Sequence, residues 1–269
     1  MKLREELIVR PGTRVQLTRR DPTWTAGFKD RSEAEATLDK NIRRLTRLQY
    51  LLYAEGRRAL LVILQGMDAA GKDGTIRHVM GPLNPQSCRV TSFKAPTAAE
   101  LAHDFLWRIH RAVPGKGEIG IFNRSHYEDV LIVRVRNLAP KSVWSKRYAQ
   151  INLFEKSLAE SGVTILKFFL HVSKAEQKVR LVERLTDPKK NWKVNPADFE
   201  ERKRWDDYMA AYADALRKCS TPWAPWFVIP SDHKWFRNLA VSQIIADTLK
   251  SMKMRFPKPA FDLSKIKVV

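Results

Sequence analysis

Cysteine is almost missing: Cys88 and Cys219 are the only two in 269 residues. Two thiols without a CxxC spacing exclude a disulfide framework and a zinc knuckle, and point to a reducing compartment. Long apolar runs are missing too. The longest, Ala59 to Leu64, falls far short of the roughly 20 residues a membrane helix needs. Residues Met1 to Gly12 alternate charged and apolar types and hold no signal-peptide core, so the expected location is the cytoplasm. There is no HExxH, no GxSxG, no internal repeat and no low-complexity stretch. Negative charge is the minority sign, with 29 Asp and Glu against 49 Lys and Arg and a net charge of +20.

That surplus is spread along the chain rather than gathered in a basic tail. It suits a polyanionic partner, either nucleic acid or a phosphate polymer, as well as simple solubility. A hydrophobic share of 44% with 8 Trp argues against disorder, because such a chain buries enough apolar surface to offset its ordering entropy.

The first 31 residues, punctuated by Pro11, Gly12, Pro22 and Gly27, read as an extended arm. A capping box at Ser32 and Glu35 then opens an amphipathic helix through Leu38, Ile42, Leu45, Leu48 and Leu52, ending near Gly56. Ala59 to Gln65 has the continuous apolar character of a buried parallel strand. Further strands are predicted at Arg89 to Phe93, Glu118 to Phe122, Thr164 to Leu170 and Trp226 to Ile229. Helix starts are marked at Thr97 with Glu100, at Ser173 with Glu176, and at Asn195 before Pro196. The last of these opens a long helix with Trp205, Tyr208, Met209, Tyr212 and Leu216 on one stripe. Strands alternating with helices predict an α/β fold, a five-stranded parallel sheet covered on both faces. The tail from Ser251 is expected to lie over the surface.

Directly after the strongest strand stands Gly66-Met-Asp-Ala-Ala-Gly71-Lys72, a GxxxxGK phosphate loop. Small residues let backbone N–H groups converge on phosphate oxygens, and a lysine neutralises them at a helix N-terminus. Asp73 follows the lysine where a Ser or Thr usually meets magnesium. With Asp68, it implies reliance on Mg²⁺ or on neighbouring arginines. Phe122-Asn-Arg-Ser-His-Tyr-Glu-Asp129 closes the third predicted strand, so Asn123, Arg124, Glu128 and Asp129 are expected to face the loop across the carboxyl ends of the strands. Arg180 and Arg184 share a helix face, and Asp187-Pro-Lys-Lys-Asn-Trp-Lys193 interrupts the helical pattern after them. The stretch from about 180 to 217 reads as a mobile lid over phosphates, or as an ordinary charged hairpin. His126 reads as a packing or hydrogen-bonding residue. Trp223 and Trp226 read as packing for the last strand.

Together GMDAAGKDG, FNRSHYEDV, LVERLTDPKKNWK, RKRWDDYMAAYADAL and APWFVIPSDHKW resemble the polyphosphate kinase 2 family, P-loop enzymes that move phosphoryl groups between inorganic polyphosphate and nucleotides. The resemblance runs from about Ser32 to Leu249. It implies a P-loop kinase-like three-layer α/β/α domain over 32–250 with a helical lid, an N-terminal arm (1–31) and a C-terminal tail (251–269). It implies nucleotide and phosphate binding by Gly66, Ala69, Ala70, Gly71, Lys72, Asp73, Gly74, Asn123 and Glu128. Catalytic roles fall to Asp68, Lys72, Arg124, Asp129, Arg180 and Arg184. Asp68 and Asp129 are the implied ligands of Mg²⁺, with Mn²⁺ as a substitute. The family's second motif often has aspartate at the position of Asn123, and asparagine and arginine at those of Glu128 and Asp129. This departure resembles the subclass that phosphorylates AMP as well as ADP. The implied partners are inorganic polyphosphate and AMP, ADP and ATP, in a homo-oligomer (dimer or tetramer) with no membrane and no specific nucleic acid. Two alternatives stand beside this reading: a nucleic-acid-binding protein with a degenerate loop, and an ATP-dependent small-molecule kinase.

Overall fold

A computed structural model describes residues 3–266. Six strands form one sheet: β1 (Ile8–Val9), β2 (Ala59–Gln65), β3 (Cys88–Ser92), β4 (Ile119–Asn123), β5 (Val163–His171) and β6 (Trp226–Pro230). Their order across the sheet is β1-β6-β5-β2-β4-β3. The five predicted strands are all present and pair in parallel. The sixth, β1, was not expected; it joins β6 antiparallel through Ile8 opposite Phe227 and Val9 opposite Trp226.

β2 explains the layering. All seven of its residues are buried, and they divide by parity. Leu60, Val62 and Leu64 enter one apolar cluster, Ala59, Leu61 and Ile63 the other. A strand whose alternate side chains both meet apolar neighbours needs cover on both faces, which crossover helices supply. The helices Arg31–Glu55 and Lys234–Ser251 pack against each other over the first face.

The first of these helices starts slightly earlier than expected. Asp30 is the N-cap, accepting from the Glu33 backbone N–H, while the Glu33 carboxylate accepts from the Lys29 N–H. Asp30 and Glu33 have the spacing of a capping box and aspartate caps as well as serine does, so Ser32 is left to donate to Asp30. Replacing Asp30 by Ala removes a cap worth about 1 kcal/mol. The helix ends as predicted, with Gly56 in the left-handed region.

The arm differs from the extended segment expected. Leu3–Leu7 is a short helix, and Leu3, Leu7, Val9 and Leu17 are buried in the main core. Five helical residues and a two-residue strand are too short to leave a period; burial of four apolar side chains holds them. At the other end, 252–266 lies largely exposed, with Met254 buried and Phe256 beside Tyr50. The long helix expected after Asn195 is two, Pro196–Lys203 and Trp205–Cys219, broken at Arg204. Trp205, Tyr208, Tyr212 and Leu216 are buried in the core, so the second half of the expected 180–217 lid is part of the domain body. No helix among the described residues is long and apolar enough to cross a membrane.

Candidate active site

β2 and β4 are neighbours in register, Leu64 opposite Asn123, so the turns leaving their carboxyl ends meet above the sheet. This is where an open α/β sheet forms its crevice. The two motifs touch there. Asn123 Nδ2 donates to Asp73 Oδ1 at 2.7 Å, and the Arg124 guanidinium lies 2.6 Å from Asp68 Oδ1. They line a cleft of about 1080 Å³ together with Lys94, Arg184, Lys190, Lys193 and Lys234. Its lining holds ten Lys and Arg against five Asp and Glu, an excess that draws in a polyanion.

The loop is built to be fixed. Gly71 has φ 107°, and a Cβ there would stand 1.9 Å from the Arg237 guanidinium. Gly66 has φ 157°, with the Leu170 carbonyl 2.8 Å from where its Cβ would be. Only glycine suits such positions. Lys72 is buried and donates to the carbonyls of Gly66 (2.8 Å) and Met67 (3.2 Å). Burial, with Arg124 nearby, pulls its pKa below the usual lysine range. The helix expected behind the loop is a short α turn, Lys72–Thr75, that widens into a π turn over Ile76–Met80.

Arg180 was expected on a closing lid, but its guanidinium lies beneath the loop, 6% exposed. It donates to the carbonyls of Ala69, Ala70, Ser231 and Asp232 and to Glu176. The helix face it shares with Arg184 also carries the buried Gln177, whose amide holds the Asp68 carbonyl, and Leu181 lies buried beside it. Those contacts draw this part of the helix inward. Ser173 caps the helix as expected, but Glu176 serves Arg180 rather than closing the box. Arg184 sits farther out, paired to Asp198 at 2.7 Å across the hairpin.

The second motif splits. Ser125 caps a 3₁₀ helix, His126–Val130, in which successive side chains project about 120° apart. Glu128 turns toward Arg124 (3.9 Å) and accepts from the Gln65 amide at 3.0 Å. Burial raises its pKa although Arg124 and Lys72 pull it down. On Arg124 burial opposes the charge, but Glu128 and Asp68 outweigh it and raise the pKa. Asp129 faces the other way, 2.8 Å from Arg147, and is not among the cleft-lining residues; burial pushes its pKa up to about 6 against the pull of Arg147. The structure therefore brings Asp68, Lys72, Asp73, Asn123 and Arg124 together and leaves Asp129 apart. Among the described residues no group of three or more His, Cys, Asp or Glu is arranged to hold a metal ion.

One functional candidate was not foreseen. Arg237, 2% exposed, abuts Gly71 and Gly74 and donates to the Ala70 carbonyl at 3.4 Å. Burial beside Arg180 pushes its pKa down to about 9. It stands some 166 residues beyond Gly71 in the chain, and its only sequence signal is a basic residue soon after the last strand.

The family model described as Polyphosphate kinase 2 (PPK2) matches residues 28–257. An AMP/ADP-polyphosphate phosphotransferase from Meiothermus ruber is 54% identical over 96% of this chain and 97% of its own length. An ADP-polyphosphate phosphotransferase from Rhodopseudomonas palustris is 46% identical over 96% of this chain and 94% of its own. The crystal structure of Polyphosphate Kinase 2 from Arthrobacter aurescens TC1 superposes with a TM-score of 0.94 at 46% identity, covering 98% of this chain and 94% of that one. With the phosphate loop, the second motif and the cationic cleft in one place, this chain belongs to the polyphosphate kinase 2 family.

Proposed function

We propose that the protein transfers a phosphoryl group from inorganic polyphosphate to ADP and AMP, forming ATP and ADP, reversibly. The observation that carries this is the contact of the two motifs, Asn123 on Asp73 and Arg124 on Asp68, at the floor of a cleft with twice as many cations as carboxylates. The names of the similar phosphotransferases support the same substrates. A terminal phosphate oxygen of the nucleotide attacks the end phosphorus of polyphosphate. The P–O bond to the shortened polymer breaks in line, and that polymer leaves with the electron pair. The attacking oxygen is already an anion, so the protein mainly positions and neutralises.

In this reading the loop N–H groups and Lys72 hold phosphate. A trans peptide points its N–H opposite to its C=O. Fastening the Ala70 carbonyl to Arg180 and Arg237 therefore turns the Gly71 N–H away from both arginines. Arg124 neutralises the transferred group, and Glu128 behind it sets the nucleotide side. Arg184 approaches from the hairpin. Mg²⁺ takes one or two carboxylates together with substrate phosphates and water. Asp68, which lines the cleft, fits that requirement; Asp129, paired to Arg147 outside the cleft, does not fit as its partner. When bound, the ion supplies charge neutralisation to the phosphates.

Purified protein given Mg²⁺, polyphosphate and ADP, without ATP, should form ATP, and with AMP in place of ADP it should form ADP. A protein inert with polyphosphate that phosphorylates a small metabolite from ATP would overturn the reading.

A further inference from the structure

Lys167 stands at the middle of β5, in register with Ile63 on one side and Trp226 on the other, and it is fully buried. A lysine in such a place must be paired. All three of its donors are used: Glu155 at 2.5 Å, the Tyr127 hydroxyl at 2.8 Å and the Cys219 carbonyl at 2.6 Å. Glu155, also fully buried, accepts on its other oxygen from Tyr127 (2.9 Å) and makes a 3.1 Å bond to His126 Nε2. Because that oxygen belongs to a carboxylate, the imidazole donates through Nε2. Burial keeps His126 neutral, so the cluster carries one positive and one negative charge.

Stability alone does not call for this arrangement, since a buried ion pair exchanged for well-packed apolar residues often leaves a protein as stable or more so. The placement of its bonds is the informative part. They go to His126 and Tyr127, the two residues immediately before Glu128 and Asp129, in a 3₁₀ turn whose own hydrogen-bond geometry is poor. The residue entering the turn, Arg124, has φ 62°. The geometry points to Glu155 and Lys167 as positioning residues for phosphoryl transfer: by clamping His126 and Tyr127 they set the turn that holds Arg124 at the cleft, Glu128 behind it and Asp129 away from it. This rests on the roles given above to Arg124 and Glu128.

The test separates packing from positioning. Lys167→Met combined with Glu155→Leu removes both charges and keeps the core apolar. A double variant that melts within a few degrees of the parent should show kcat for ATP formation from ADP and polyphosphate lowered about tenfold or more, with KM for each substrate within about twofold. Recovery of the parent's kcat together with its melting temperature would overturn the inference. Should the double variant fail to fold, Tyr127→Phe decides. It removes one hydroxyl and leaves the pair, and it should lower kcat about threefold or more at unchanged KM; parental kcat overturns the inference. A parent that makes no ATP from polyphosphate would instead overturn the function proposed above, so the two failures are distinguishable.

Discussion

The phosphate loop, 66–74, and the hairpin, 187–195, both bring charge to the same cleft, but they are held in opposite ways. The loop's carbonyls rest on three buried cations, Lys72, Arg180 and Arg237. The hairpin is tied by one largely buried pair, Arg184 to Asp198, by the more exposed pairs of Lys190 with Glu183 and Asp187, and by Asn191 donating to the Arg184 and Leu185 carbonyls. Its one large apolar side chain, Trp192, is 78% exposed. Buried hydrogen-bonded charges are costly to disturb, whereas exposed pairs are weak and screened by salt. The same residue types therefore lie deeply buried under the loop and less so along the hairpin, and a rigid cradle beside a more loosely fastened flap is the expected consequence.

The largest effect should come from the cradle's floor. Lys72→Ala is expected to lower kcat by about 10²–10³-fold, the usual range for losing one preorganised donor at developing charge, with the unfolding transition retained. Steady-state kinetics and a thermal melt check both.

Next is a matched pair of arginines, four residues apart on one helix. Arg180→Met strips partners from five acceptors beneath the loop and should cost about 3 kcal/mol of stability, with turnover falling alongside. Arg184→Ala breaks a single pair whose side chains are 20% and 12% exposed and should cost less stability than Arg180→Met, yet it should lower kcat about tenfold at little change in KM, as expected of charge needed mainly in the transition state. Arg217→Ala, near the C-terminal end of the helix Trp205–Cys219, is the control and should leave turnover unchanged. Equal melting temperatures for the Arg180 and Arg184 variants would erase the distinction between cradle and flap.

Much of this contrast was visible in the residues themselves. The apolar run Ala59 to Gln65 with glycines directly behind it announced both the central strand and the loop, because a two-faced strand and a phosphate turn need those residue types. Arg180 was legible as a basic residue at the site, but not its depth, which follows from the neighbouring Gln177 and Leu181 being drawn into the fold. The family resemblance implied Asp129 beside Asp68 as a magnesium ligand, whereas the 3₁₀ geometry of the turn sends it to Arg147. Arg237, the β1 strand and the Lys167–Glu155 pair depend on contacts between distant segments. An isolated lysine inside VTILKFFLH marks an anomaly without naming its partner.

The smallest effect is in protons. Burial lowers the pKa of Lys72, while hydrogen bonds to Glu183 and Asp187 raise that of Lys190. A polyanion bound at Lys72 restores its charged form, raising the pKa toward or above the ordinary lysine value. Between the free and the bound pKa the complex holds the proton that the free protein has released, so binding should take up a fraction of a proton in a pH window that lies below the ordinary lysine value. Calorimetry of polyphosphate binding in buffers of different ionisation enthalpy reads this directly. The uptake should vanish in Lys72→Met and persist in Lys190→Met; the reverse pattern would assign the proton to the flap.

The contrast between cradle and flap is tested most directly by hydrogen exchange, residue by residue, with and without ADP and polyphosphate. Without ligands, amides from Asp187 to Lys193 should exchange much faster than those of the helix Trp205–Cys219, and they should slow when both ligands are bound. Exchange in that segment that is already as slow as in the helix, or that ligands leave unchanged, would contradict the account.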